Sequence, residues 1–314
     1  LSRASHQMST TGAPAATAQP PGEDRTGLFA ALTAFVIWGL LPLYLRPLGH
    51  VPALQITAHR IVESCVLVFL YLGFKGQLGA VRAALAHPQS RLRLVGSTVM
   101  ISINWLVYVW AVGNGHVVDA SLGYFINPLV SVLMGVALLS ERLNRAQWLA
   151  VAIAACGVAF LTYVTGRVPW IALVLALTFG TYGLIRKVVA VESVPGLAVE
   201  TLLLFPLALG WLVWCEVQGT GAFGHQGPLV NALLVGSGVV TATPLALFAF
   251  GARRIRLSTV GLLQYVGPTL QFLTGVLVFR EPFPHTRLIG FVIIWSALAV
   301  YIGDNLWRRR GARY

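Results

Sequence analysis

Ten apolar stretches follow one another along this chain, separated by short polar links. They fall near 27–48, 52–74, 92–113, 118–139, 146–164, 168–190, 195–217, 228–251, 258–279 and 285–307. A helix needs roughly 20 such residues, at about 1.5 Å each, to cross the hydrocarbon core of a bilayer. The pattern therefore predicts an all-α integral membrane protein with ten transmembrane helices. Residues 1–26 differ: they are rich in Ala, Thr, Pro and Gly and offer nothing to bury, which predicts a disordered tail. No basic run precedes an apolar core and a cleavage site there, so no secretory signal is expected. Either Leu1 is a literally translated unusual start codon, or Met8 is the true start.

Composition agrees with the pattern. The chain is 57% hydrophobic and 10% charged, where a soluble domain is about a quarter charged. Cys65, Cys156 and Cys215 all lie in predicted helices without metal-ligand spacing and read as small packing residues.

The net charge of +12 could suggest a nucleic-acid partner, but its placement argues against one. With the N-terminus taken as cytoplasmic, 17 Lys and Arg residues fall on the inner side and 4 (Arg46, Arg167, Arg280 and Arg287) on the outer side. Arg60 alone is left within the membrane. This bias places both termini in the cytoplasm, with a basic tail at 308–314. Anionic lipid accounts for the charge, and no nucleic acid is needed.

An internal repeat organises the rest. At a shift of 140 residues, "VGSTVMISINWLVYVWAVG" (95–113) lies on "VGSGVVTATPLALFAFGAR" (235–253). In the same register Pro128 meets Pro268, Gly135 meets Gly275, and Glu141 meets Glu281. "VPALQIT" (51–57) matches "VPGLAVE" (194–200) at a shift of 143. Two five-helix repeats follow, 27–164 and 165–307. Five is odd, so the second enters the membrane inverted. Inverted repeats place one site near the midplane with two alternative exits, the architecture of many secondary transporters. A duplicated bundle without transport is the competing reading.

The segments "TAHR", "NWLVYVWAV", "ASLGYFINPLV", "ERLNRAQWLAV" and "LSTVGLLQYVGPTLQFL" resemble the RarD-type branch of the EamA family, within the drug/metabolite transporter superfamily. The resemblance covers essentially all of 27–307. It implies a ten-helix carrier of small metabolites or drugs in the inner membrane of a bacterium, with its substrate cavity between the inverted halves, and it implies no particular substrate. Glu63 departs from the family pattern, where an uncharged, often aromatic residue is expected.

Charged side chains at the bilayer centre cost roughly 2.5–3.5 kcal/mol each on insertion scales, so they face protein or water. In "ITAHRIVES" (56–64), His59 and Arg60 lie about 10–12 Å below the outer end of the second helix. Glu63 can reach His59 at four residues or Arg60 at three. His59 and Arg60 read as substrate-site candidates, Arg60 attracting an anionic group and His59 titrating. Glu63 reads as their local neutralising partner. In the seventh helix Glu200 takes the place of Thr57. Opposite charges at related depths suit a zwitterionic or polar substrate. Asn104 and Tyr108 share a face of the third helix, Trp110 fits an interfacial aromatic belt, and Trp105 is left open. "YFINP" and "QYVGP" add Tyr124, Asn127, Gln264 and Tyr265 as candidate substrate contacts. Pro128 and Pro268 within these helices would free the carbonyls of Tyr124 and Gln264, as paired hinges or simple packing kinks. Pro244 is a third hinge candidate. Glu141 and Glu281 sit at helix ends, where they are expected to cap or pair locally with Arg142, Arg145 or Arg287.

No enzyme motif is present: neither H-E-x-x-H nor G-x-S-x-G occurs, and the aspartate in "YIGD" has no obvious partner for a catalytic dyad. No phosphate-cradling loop occurs, so no nucleotide or other cofactor is expected, and no metal. Any coupling would be to a gradient, with protons as a candidate. The expected partners are a small-molecule substrate and the bilayer, with the chain a monomer or loose homodimer. A membrane binding or sensor protein on a transporter scaffold is the remaining alternative to an exporter.

Overall fold

A computed structural model of the chain describes residues 24–139, 143–252, 254–255 and 263–311. Residues 1–23 of the tail expected at 1–26, and the expectation for Glu141, lie outside the described residues, while Arg25 and Thr26 already belong to the first helix. Among the described residues all regular structure is helical.

Two helices start at local side-chain caps. Helix α1 (Arg25–Leu45) begins at Asp24, whose carboxylate accepts from the Thr26 backbone N–H at 2.9 Å, and a 3-10 turn (Arg46–Leu48) extends it. Helix α2 spans Ala53–Phe74. A short helix, α3 (Leu78–Ala86), was not foreseen in the apolar pattern. Its nine residues are too few to cross a bilayer. Pro88 opens α4 (Pro88–Gly113), at a position where a missing N–H costs nothing. Helix α5 runs Val117–Leu139. Asn144 and Gln147 form a reciprocal capping box on α6 (Arg145–Thr165), which ends at the left-handed Gly166 (φ 66°). Helices α7 (Trp170–Val188), α8 (Ser193–Val217), α9 (Pro228–Ala252), α10 (Val266–Leu273, continued by a π turn over Thr274–Val278) and α11 (His285–Gly311) follow. Among the described residues seven helices are long and apolar enough to cross a membrane: α1, α2, α4, α6, α8, α9 and α11. Trp170–Arg186 and Val266–Val278 are shorter apolar helices.

The burial pattern is that of a membrane protein. Leu70, Leu92, Leu207 and Leu277 are 65–74% exposed, whereas Glu200 and Asn104 are 1% and Arg60 5% exposed. Large aliphatic side chains face outward and polar ones are gathered inside, as a hydrocarbon surrounding favours.

Helices α4 and α5 both pack on α7, α1 packs on α9 and α10, and α2 packs on α8 and α9. Further contacts join α6 to α11, α5 to α10 and α4 to α8. One close approach bears on the site. A Cβ built on Gly238 of α9 would come within 2.6 Å of the Glu63 carbonyl carbon. Only glycine lets α2 and α9 meet there, and one turn further along α9 stands Thr241.

Pro128 lies inside α5, which continues past it. Pro244 likewise lies inside α9. Pro268 corrects the sequence expectation. Helix α10 starts at Val266, so Pro268 falls in its first turn and obstructs no intrahelical bond. Gln264 and Tyr265 occupy the turn before the helix rather than its interior.

Candidate substrate-binding site

Arg60 projects from α2 into the middle of the bundle. Its Nε donates to Thr241 Oγ1 at 3.1 Å, and its guanidinium carbon lies 5.5 Å from the centre of the Trp105 ring. Thr241 can accept because its own proton is committed to the Ser237 carbonyl four residues back, at 2.8 Å. The Nη1 of Arg60 is buried without a hydrogen-bond partner, and among the described residues no carboxylate pairs with it. Tyr44, Tyr108 and Tyr124 lie within electrostatic reach of the guanidinium.

A network behind the tyrosines holds them in place. Asn104 is fully occupied: its amide donates to the Leu175 carbonyl at 3.1 Å and to Thr178 Oγ1 at 3.0 Å, while its Oδ1 accepts from the Tyr124 hydroxyl at 3.3 Å. Thr178 is an acceptor for the same reason as Thr241, since its proton goes to the Val174 carbonyl at 2.6 Å. The Tyr108 ring meets the Tyr124 ring edge-on at 5.8 Å, and the Tyr108 hydroxyl is buried without a partner. Tyr44 donates to the Leu233 carbonyl, tying α1 to α9. Asn104 thus positions Tyr124, leaving Arg60 Nη1 and Tyr108 Oη as uncommitted buried donors.

Side-chain contacts tie the helices together on either side of this polar cluster. Toward the end carrying Arg91 and Arg93, Glu200 accepts from Ser97 Oγ at 2.6 Å and from Tyr182 Oη at 3.3 Å, and faces Arg186 Nη1 at 3.7 Å. Arg186 also donates to the Glu192 and Ser193 carbonyls at 3.1 and 3.2 Å. At the opposite end Gln55 clasps the α8–α9 loop. Its amide donates to the Thr220 carbonyl at 2.8 Å, and its Oε1 accepts from Ala222 N–H at 3.0 Å. Glu281 accepts from the first two N–H groups of α5, Val117 at 2.7 Å and Val118 at 2.9 Å. Burial pushes the Glu281 carboxyl above its ordinary value, outweighing the two backbone bonds that pull it down. Trp110 stacks on His116 at this end, beside Trp170, around a cavity of about 130 Å³.

The sequence candidates divide accordingly. Arg60, Tyr108 and Tyr124 meet in one chamber, with Asn104 bracing it. His59 does not join them. Adjacent helical residues point about 100° apart, and His59 turns toward Phe223 (5.8 Å between ring centres) and Glu63 (3.8 Å). Glu63 is therefore the partner of His59 and not of Arg60. Asn127 lies beside Gly180 between α5 and α7, its Oδ1 unpartnered. Tyr265 packs its ring on the apolar cluster of α5, α6 and α11, away from Arg60, and Gln264 is half-buried in the adjoining turn. Glu281 caps α5, a different element from the local pairing expected, and Arg287 pairs with Asp119 instead. Thr241, Thr178, Tyr44, Ser97, Tyr182 and Arg186 were not singled out in the sequence. Hydroxyl residues are ordinary in apolar helices, and nothing local marks which lone pair a distant donor will find.

The EamA-like transporter family matches residues 25–163, that is α1 through α6. Protein RarD of Streptomyces exfoliatus is 45% identical, over 93% of this chain and 92% of that protein. Protein RarD of Escherichia coli is 40% identical, over 92% of this chain and 97% of that protein. The chain belongs to the RarD branch of the EamA family. An uncharacterized transporter of Pseudomonas aeruginosa is 46% identical, over 90% of this chain and 95% of that protein. One crystal structure, 21% identical with a TM-score of 0.57, covers 91% of this chain and 98% of its own and shares the fold. Membership indicates a multi-pass membrane protein of the drug/metabolite transporter superfamily rather than an enzyme.

Proposed function

We propose that the chain is a secondary carrier of small metabolites or drugs in the bacterial inner membrane, exporting by alternating access. The Arg60 chamber is its transport site. The supporting observation is the cluster itself: a buried guanidinium with a spare donor, among side chains of α1, α2, α4, α5 and α9. A structural bundle has no use for an unpaired charge at that depth. Arg60, Tyr108 and Tyr124 contact the substrate, with Asn104, Thr178 and Thr241 holding them.

The packing supports the inverted-repeat reading. Set α3 aside and exchange each remaining helix for the one five places on: α1 with α7, α2 with α8, α4 with α9, α5 with α10, and α6 with α11. The contact of α1 with α9 then becomes that of α7 with α4, α5 with α7 becomes α10 with α1, and α2 with α9 becomes α8 with α4. The contacts α2–α8, α5–α10 and α6–α11 map onto themselves. The repeats 27–164 and 165–307, with both termini cytoplasmic, account for this exchange. Under this reading Arg186–Glu200 closes the cytoplasmic end, and Gln55, Tyr44 and Glu281 close the outer one. Pro128 and Pro244 lie within helices that must flex between the two states.

Purified full-length protein in proteoliposomes tests the proposal. A screen of labelled metabolites and drugs, with and without a pH gradient, should give saturable counterflow that Arg60→Gln abolishes. Ligand-dependent thermal stabilisation with no flux of any compound would make the protein a binding or sensor protein instead.

A further inference from the structure

The charges around the chamber narrow the substrate class, granted that the chamber is the transport site. The sequence suggested a zwitterion, with Arg60 and Glu200 as opposite poles. The structure removes one pole: Glu200 is occupied by Ser97, Tyr182 and Arg186. Arg60 has no such neutralisation. Its Nε is committed to Thr241 and one face to Trp105, while Nη1 is buried and unpartnered. The Tyr108 hydroxyl is likewise buried without a partner, as is Ser64 Oγ one turn along α2. We infer that Arg60 Nη1 and Tyr108 Oη receive the carboxylate of a small organic monoanion, whose apolar remainder lies against the Trp105–Tyr108–Tyr124 wall.

The chemistry favours a carboxylate. One uncompensated positive charge balances one negative charge, and a guanidinium N–H and a phenol O–H both donate well to carboxylate oxygens. A phosphate monoester, near two negative charges with three oxygens, would leave charge and lone pairs unmet. An ammonium would meet a like charge and no free carboxylate. The ring wall offers flat apolar surface for the rest of the molecule. The guanidinium, delocalised and weakly hydrated, is the cation best suited to wait in such a chamber without a partner.

Thermal shift of the purified full-length protein tests this without requiring flux. The probes are benzoate, phenylacetate and hexanoate, each against its primary amide, with phenethylamine, phenyl phosphate and sodium chloride as further arms. At least one carboxylate should stabilise the wild type saturably at neutral pH, its amide should not, and Arg60→Gln should lose the effect. Tyr108→Phe removes only an unpartnered hydroxyl, so it should fold normally and bind the carboxylate more weakly. Arg60→Lys, which cannot serve Thr241 and the ligand together, should weaken binding by about thirtyfold or more. The inference fails if no carboxylate shifts the wild type, or if amide, amine, phosphate or chloride matches the carboxylate. It also fails if the carboxylate shift survives both Arg60→Gln and Tyr108→Phe. Carboxylate binding without flux would instead overturn the carrier reading and leave the ligand class standing.

Discussion

Replacing Gly123 by alanine should loosen the chamber from behind. A Cβ at this position of α5 would stand 2.7 Å from the Ala172 carbonyl oxygen, 3.0 Å from Leu175 Cβ and 3.1 Å from Ala172 Cα, all on α7. Two of these atoms are backbone and cannot rotate away. Reaching an ordinary 3.4 Å contact requires the helices to part by about 0.7 Å. Overpacking of this kind costs roughly 1–3 kcal/mol. Alanine regains at most about 1 kcal/mol of helix propensity over glycine. Gly183 on α7 supplies the control, since its Cβ would meet nothing within 4 Å. Gly183→Ala should therefore be neutral or slightly stabilising. The midpoints of the two variants in detergent should differ by a few degrees, at roughly 2–4 °C per kcal/mol for a chain of moderate size. The site should respond as well. Tyr124 follows Gly123, and its 3.3 Å bond to Asn104 would stretch to about 4 Å, beyond hydrogen-bonding range. Counterflow should fall in Gly123→Ala and persist in Gly183→Ala. Equal midpoints and equal flux in the two variants would refute the claim that close α5–α7 packing sets the chamber.

Two further outcomes follow from the closures. Arg186→Gln leaves the Glu200 carboxylate buried with two hydroxyl donors and no cation, a loss of about 3–5 kcal/mol for a buried pair, and Arg186→Gln/Glu200→Gln should recover much of it by thermal unfolding. The raised Glu281 pKa sets a sign for pH dependence. A carboxyl raised in the folded state contributes stability that is present below its ordinary 4.5 and lost as pH rises through the raised value. The midpoint difference between wild type and Glu281→Gln should therefore move against the wild type as pH climbs from 4.5, and a flat difference would contradict it.

The parts of this architecture legible in the sequence share one cause. A bilayer imposes a length and an apolarity on each crossing, so the stretches at 53–74, 88–113 and 193–217 announce themselves within a few residues. The shift of 140 residues was legible because repeats keep register across many positions at once. Arg60 stood out because an ionisable residue in an apolar helix needs a reason. What escaped was the choice of partner. Spacing allowed Glu63 either His59 or Arg60, and only the direction of each side chain around α2 separates them. Pro268 read as a kink because the apolar pattern does not say where α10 begins. Glu200 looked like an available negative pole until Arg186, apparently a surface charge at a helix end, folded back across Gly196 to meet it.

Alternating access to the Arg60 chamber is the central claim, and cysteine accessibility measures it most directly. Ser64 sits one turn from Arg60 on the same face of α2, is 0% exposed, and has an unpartnered hydroxyl, so Ser64→Cys is close to isosteric. It would be placed in a background with Cys65, Cys156 and Cys215 replaced by alanine. Right-side-out and inside-out vesicles would then be treated with a membrane-impermeant thiol reagent. The account predicts labelling from both faces, slowed by transported substrate. Labelling from neither face, or from one face under every condition, would contradict it.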